Sequence, residues 1–172
     1  MSKARSYLPQ GSGFYLAVAS ASDITNFGWS LADGKSTRVV VRFLRGKKMT
    51  TVEELHNEVA AALQFPWYYG ENWPAFDECI NDLDWLAADS YILIVTDAEE
   101  VLSKEDEQFS VFIKTLQQAV DEWSCAAERP DELRRSANFH IVFQASEDKS
   151  DEVSSRLKST GALFQYLNLQ TS

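Results

Sequence analysis

The chain has little of the residues that most reactive chemistry requires. Across 172 residues there are two cysteines, two histidines, two methionines, four prolines and seven glycines. Cys79 and Cys125 are far apart and belong to no CxxC or Cys/His pairing, which excludes a disulfide framework and a structural zinc site; both are expected to be reduced, structural cysteines. His56 and His140 are isolated from each other and from any clustered ligand, so each is expected to be a packed structural residue. Seven glycines and four prolines exclude a collagen-like or linker-dominated chain. No run approaches the ~20 apolar residues of a membrane helix, and the basic start Met1–Tyr7 leads into Leu8-Pro9-Gln10-Gly11, not into an apolar signal core. A cytoplasmic, membrane-free protein is the expectation.

Basic charge is scarce as well: 16 Lys and Arg stand against 26 Asp and Glu, for a net charge of −10. Such a chain is repelled by phosphate backbones, which argues against a nucleic-acid partner and for a basic one. The imbalance is local. Residues 71–107 hold twelve acids and a single base, Lys104, whereas residues 1–50 carry eight bases and two acids. What remains is ordinary globular material, 45% hydrophobic and 12% aromatic, enough for one packed domain.

Periodicity orders the elements. Residues 1–12 read as a frayed tail, and Phe14–Val18 and Phe27–Leu31 as short strands, the second closed by an Asp33-Gly34 turn. Arg38–Leu44 is a β-branched strand ended by Gly46. Thr51-x-x-Glu54 is a capping box opening an amphipathic helix over 51–64, which Pro66 stops. Asn72 caps a second helix with Trp73 first and Pro74 in the first turn; its stripe of Trp73, Phe76, Cys79, Ile80 and Leu83 faces the core. Tyr91–Val95 reads as a strand buried on both faces. Ser103-x-x-Asp106 caps a third helix, residues 126–137 form a polar loop, and 138–144 is a third core strand. A helix over 148–158 and an edge segment over 162–169 complete the chain. The fold class is therefore α/β: a small three-stranded parallel sheet in the order β-α-α-β-α-β, packed with helices, with N- and C-terminal elaborations. Its divisions are 1–37 (an N-terminal extension), 38–146 (the main domain) and 147–172 (a C-terminal extension packed on it).

One constellation carries functional information. On the second helix Pro74, Asp77, Glu78, Asn81 and Asp82 fall within about 140° of arc. The connection before it, Pro66-Trp67-Tyr68-Tyr69-Gly70-Glu71, sets three consecutive aromatics beside that acidic face, and a short loop cannot bury all three. Aromatic anchors edged by carboxylates suit a protein-binding surface, with Tyr68 and Tyr69 as its anchors. Trp73, Phe76 and Trp85 are expected in the core.

The run Phe65-Pro-Trp-Tyr-Tyr-Gly-Glu-Asn-Trp-Pro-Ala-Phe-Asp-Glu-Cys-Ile-Asn-Asp-Leu-Asp-Trp85, with the preceding helix Val52–Val59, resembles the signature of the barstar family, intracellular inhibitors of barnase-type ribonucleases. The resemblance covers residues 38–146 and implies a non-catalytic protein whose loop and second helix plug a nuclease cleft, carboxylates standing in for RNA phosphates. It implies a basic ribonuclease or ribonuclease toxin as partner, in an immunity or antitoxin role, and no cofactor or metal. The partner-binding residues it implies, with their neighbours on the acidic face, are Tyr68, Tyr69, Gly70, Glu71, Asn72, Pro74, Asp77, Glu78, Asn81 and Asp82, Glu78 standing at the family's central inhibitory aspartate. The sequence departs from the family at Pro74, where an interfacial aspartate is expected, at Asp77, where a tryptophan is expected, and near Gln117 and Gln118, where a third-helix acid is expected. These swaps point to a cognate nuclease other than barnase.

Two other classes compete. An enzyme would use Asp77, Glu78, Asp82 and Asp84 as metal or acid–base carboxylates, but there is no Gly-rich phosphate loop and no Ser/His/Asp pattern, and Asn81-x-x-Asp84 lacks the glycine and terminal glutamate of a calcium loop. A barstar-like module that binds a protein without inhibiting a nuclease is the other alternative.

Overall fold

The computed structural model describes residues 8–32, 37–128 and 136–169. Its centre is a sheet of five parallel strands in the order β2-β3-β4-β1-β5, where β1 is Gly13–Val18, β2 Val39–Arg45, β3 Ser90–Thr96, β4 Asn138–Ala145 and β5 Gln165–Leu167. The expected three-stranded sheet is thus contained in a larger one. Strands β2, β3 and β4 are neighbours, and β1 and β5 continue the same sheet beyond β4. The reason is hydrogen bonding: β4 is buried along nearly its whole length, so its free edge must be paired, and β1 pairs it from Gly13↔His140 to Val18↔Ala145.

Among the described residues five α-helices cover the sheet: α1 (Ala21–Ala32), α2 (Val52–Leu63), α3 (Trp73–Asp82), α4 (Phe109–Glu128) and α5 (Ser150–Ser159). The alternating side chains of β3 divide between two cores. Tyr91, Leu93 and Val95 join Leu55, Val59, Phe76, Ile80, Phe112, Leu116, Trp123 and Leu157 in the larger one, under α2 to α5. Ile92 and Ile94 join Tyr15, Ile24, Phe27 and Val142 in the smaller one, under α1. The interior position of Tyr91–Val95 is as its composition predicts.

Local chemistry explains the helix that the sequence pattern hides. Phe27–Leu31 is not a strand but the second half of α1. Ser20 Oγ accepts from the Asp23 amide at 3.1 Å and donates to Asp23 Oδ2 at 2.8 Å, a reciprocal start signal, and Ile24, Phe27 and Gly28 then recur at helical spacing on the buried face. Gly28 lets α1 pack close to the sheet: a Cβ there would lie 2.5 Å from the tip of the Phe43 ring on β2. In α2 the capping box of Thr51 and Glu54 forms as expected, and Gln64 ends the helix in a left-handed conformation two residues before Pro66.

Ser103 does not cap the third helix. Its amide donates to the Glu100 carbonyl, a short 3-10 turn over Asp106–Gln108 precedes α4, and Asp106 instead pairs with Arg156 of α5 at 2.6 Å. Residues 126–128 continue α4 and are not loop, while most of the expected polar loop, 129–135, lies outside the described residues, as does Asp33-Gly34. Of the expected tail, residues 1–7 lie outside the description, Leu8 packs on the smaller core, and Ser12 Oγ accepts from the Phe139 amide. Among the described residues no helix is long and apolar enough to cross a membrane.

Candidate partner-binding site

The site is a loop braced at both ends. Phe65 donates its amide to Ala60 O, closing α2, and Tyr69 donates to Pro66 O at 2.9 Å, folding 66–69 into a tight turn. That turn separates the aromatics. Trp67 is 96% exposed and Tyr68 67%, whereas Tyr69 turns inward, edge-on to Phe65 at 4.9 Å, with its hydroxyl hydrogen-bonded to His56 Nδ1 on α2. Burial, with Cys79 and Glu71 nearby, pushes the Tyr69 hydroxyl well above the ordinary phenol range. His56 is itself buried against Trp73 and Phe76, and that desolvation lowers its pKa despite the opposing pull of Glu71. Both histidines are thus packed residues, as the sequence implies; His56 supports the loop from behind.

Asn72 joins loop to helix. Its Oδ1 accepts from the Ala75 amide at 2.9 Å, capping α3, while its Nδ2 donates to Gly70 O at 3.0 Å. A Cβ on Gly70 would lie 2.9 Å from that same Nδ2, so the small residue keeps the cap in place. Glu71, between them, adopts a left-handed φ of 48° and is exposed. Trp73 donates its indole N–H to Gln108 Oε1 at 3.1 Å, and Trp85 donates to Leu63 O at 2.9 Å, so both are half-buried braces packed on the larger core.

Along α3 the outer face carries exposed Pro74, Glu78 and Asp82, with Asp77 and Asn81 half-buried beside them. Asn81 Nδ2 donates to Asp77 O and Oδ1 at 3.0 and 3.2 Å. The Asp77 carboxyl sits above its ordinary pKa, first because of burial and then because Glu122 of α4 faces it; the Asn81 bond works the other way. Cys79 is buried behind this face, and burial together with Glu78 and Asp82 raises its thiol pKa, the opposite of a reactive cysteine. The residues singled out from the sequence therefore lie along one loop and one helix face, except that Tyr69 is a support with little free surface. Two residues beside them were not singled out. Trp67 is the most exposed aromatic among the described residues, and its signal was the unbroken aromatic triplet. Glu122, one turn beyond Gln117 and Gln118, brings a carboxylate from α4 to Asp77, which helical spacing past those glutamines could have suggested.

Among the described residues no group of three or more His, Cys, Asp and Glu side chains is placed to hold a metal ion. A chain in the structure of Drosophila ORC bound to AT-rich DNA and Cdc6 is similar in fold (TM-score 0.52, 12% identity, 94% of this chain and 50% of that one). So are a chain of Drosophila ORC bound to DNA (TM-score 0.54, 11% identity, 94% and 82%) and Cdc6p from Pyrobaculum aerophilum (TM-score 0.52, 16% identity, 91% and 40%). At such identities the likeness is one of fold alone, and the chain spans only half the length of the first and two fifths of the third. No curated protein matches the chain. The family model described as Barstar (barnase inhibitor) matches residues 39–149, from the first residue of β2 to the residue before α5 and over more than half of the chain. With the Tyr-Tyr-Gly-Glu-Asn loop and the acidic helix inside that span, the chain belongs to the barstar family.

Proposed function

We propose that this protein is a non-catalytic, cytoplasmic inhibitor of a basic ribonuclease, acting as an immunity or antitoxin partner. The single observation that supports it best is the braced loop with Trp67 and Tyr68 outermost, joined through the Asn72 cap to a helix whose outer face exposes Glu78 and Asp82, in a family described by barnase inhibition. In this reading Glu78 and Asp82 pair with the Arg and Lys groups that hold RNA phosphates, Asp77 stands beside them on α3, Glu122 adds charge from α4, and Tyr68 contributes contact area at low entropic cost. Tyr69, Gly70 and Asn72 hold the loop in shape, with Glu71, Pro74 and Asn81 at the edge of the contact. Inhibition by occlusion needs no turnover, no metal and no cofactor from this chain.

The test is capture from host lysate and co-encoded secreted proteins with wild type and with a Tyr68→Ala/Glu78→Lys variant, reading latent ribonuclease activity in the eluate. A small basic protein retained by wild type alone, active only after separation, supports the reading. Against that partner, Glu78→Ala is expected to weaken binding by about 2 kcal/mol or more, the scale of a truncated, desolvated charge partner; that scale draws partly on this family's own complex, and a loss under about 0.5 kcal/mol would place the contact elsewhere. The second reading is a barstar-fold binding module that inhibits no nuclease. It is favoured by Pro74, Asp77 and the uncharged Gln117 and Gln118, and captured protein without latent nuclease activity would select it.

A further inference from the structure

We propose that Trp67 and Tyr68 form an arginine-selective clamp, a pair of crossed rings on the loop leading into the acidic helix that receives a guanidinium of the protein partner. The inference deepens the reading of a basic partner and rests on it. Trp67 exposes 96% of its surface and Tyr68 67%, with ring centroids 5.9 Å apart and planes crossed at 82°. In this edge-to-face contact both rings keep most of their surface open to solvent.

The pair is held out deliberately by its surroundings. The Pro66–Tyr69 turn, the Tyr69–His56 hydrogen bond behind it and the Asn72–Gly70 brace ahead of it fix the backbone between Phe65 and α3. A side chain with two torsions on a fixed backbone loses little freedom on contact, while leaving an indole in water forgoes the gain of burying it. Exposed Trp on rigid backbone is therefore suited to a partner.

Charge selects that partner's chemistry. Ring faces are negative, and the segment that begins four residues after Trp67, at Glu71, holds twelve acids and one base. A flat nucleobase would stack equally well, but it arrives on a polyanion that this segment repels. A cation is attracted by rings and carboxylates together. Between cations, guanidinium is planar and weakly hydrated and can lie on a ring while its N–H groups reach carboxylates; an ammonium is compact and keeps its water.

The experiment titrates the full chain with end-blocked hexa-arginine and hexa-lysine peptides at low ionic strength, by calorimetry, for wild type, Trp67→Ala and Trp67→Phe. Wild type is expected to prefer hexa-arginine by about fivefold, the scale of stacking on exposed rings. Trp67→Ala should reduce that preference below twofold while leaving hexa-lysine affinity within twofold, and Trp67→Phe should keep part of it. Equal affinities in wild type, binding of neither peptide, or an arginine preference that survives Trp67→Ala would overturn the proposal. The result is independent of nuclease inhibition: peptide discrimination without any latent ribonuclease in the capture experiment would sink the inhibitor reading and leave the clamp standing.

Discussion

Acidification should destabilise this fold through one residue above all. His140 lies in β4, between Ile92 of β3 and Gly13 of β1, with its ring 6.0 Å from that of Tyr15. It is 3% exposed, and its Nδ1 has no hydrogen-bond partner among the described residues. Burial alone drives its pKa from 6.5 down to about 4. In the folded protein the imidazole thus stays neutral where the unfolded chain already binds a proton. Stability linked to His140 is complete above pH 6.5, falls as the pH drops, and levels off below about pH 4. At 1.36 kcal/mol per pH unit across that window, the loss amounts to about 3 kcal/mol, a large share of a domain's ordinary 5–15 kcal/mol. His56 has the same sign, and carboxylates held low by partners, such as Glu58 beside Arg45, also lose stability on acidification, so the wild-type slope alone does not isolate His140. The comparison with His140→Leu does. That substitution keeps the volume and removes an unpaired polar atom, so at neutral pH the variant should be at least as stable as wild type. Urea denaturation followed by tryptophan fluorescence, repeated from pH 7.5 to pH 4, should show the variant's advantage growing by about 2–3 kcal/mol as the pH falls. Parallel pH profiles for the two proteins would refute the reasoning.

Three further substitutions test the scaffold of the site. Tyr69→Phe deletes the hydroxyl that pairs with His56 Nδ1 and leaves that buried imidazole without a hydrogen-bond partner among the described residues, at an expected cost of about 1–3 kcal/mol in urea melts; an unchanged midpoint would show that the bond contributes nothing net. Asn72→Ala removes the α3 cap and the brace on Gly70 together and should cost about 1–2 kcal/mol, with faster amide exchange in residues 70–75 as the local signature; protection equal to wild type would contradict the brace. Gly28→Ala puts a methyl 2.5 Å from the Phe43 ring, and a loss of about 1–3 kcal/mol is expected in thermal or urea unfolding, whereas a gain from higher helix propensity would mean that α1 stands further from β2 than described.

The residues themselves settled the parts of this protein whose causes are local. The Thr51–Glu54 box, the Asn72 cap and the doubly apolar Tyr91–Val95 each name their own conformation, because the partners that satisfy them lie within a few residues or on both faces at once. The loop-and-helix signature from Phe65 to Trp85 carries the family for the same reason, being one unbroken stretch of chain. Other features depend on segments distant in sequence. Phe27–Leu31 has the composition of a strand and becomes helix from a start signal at Ser20, and its place on the sheet depends on Phe43 of β2, which lies against Gly28. Ser103 is held in a turn by the Glu100 carbonyl and α4 begins only at Phe109, while the Asp106 carboxylate pairs with Arg156, fifty residues further on. Nothing within Gly13–Val18 says that it completes the sheet beside β4, or that Gln165–Leu167 then pairs beside it; the unpaired edge of β4 decides that. The site divides in the same way. Its acidity and aromatics are legible in the chain, but packing alone chooses which of three adjacent rings faces water, turning Tyr69 onto His56 while Trp67 and Tyr68 stay outside, and the packing of α4 on α3 is what brings Glu122 to Asp77.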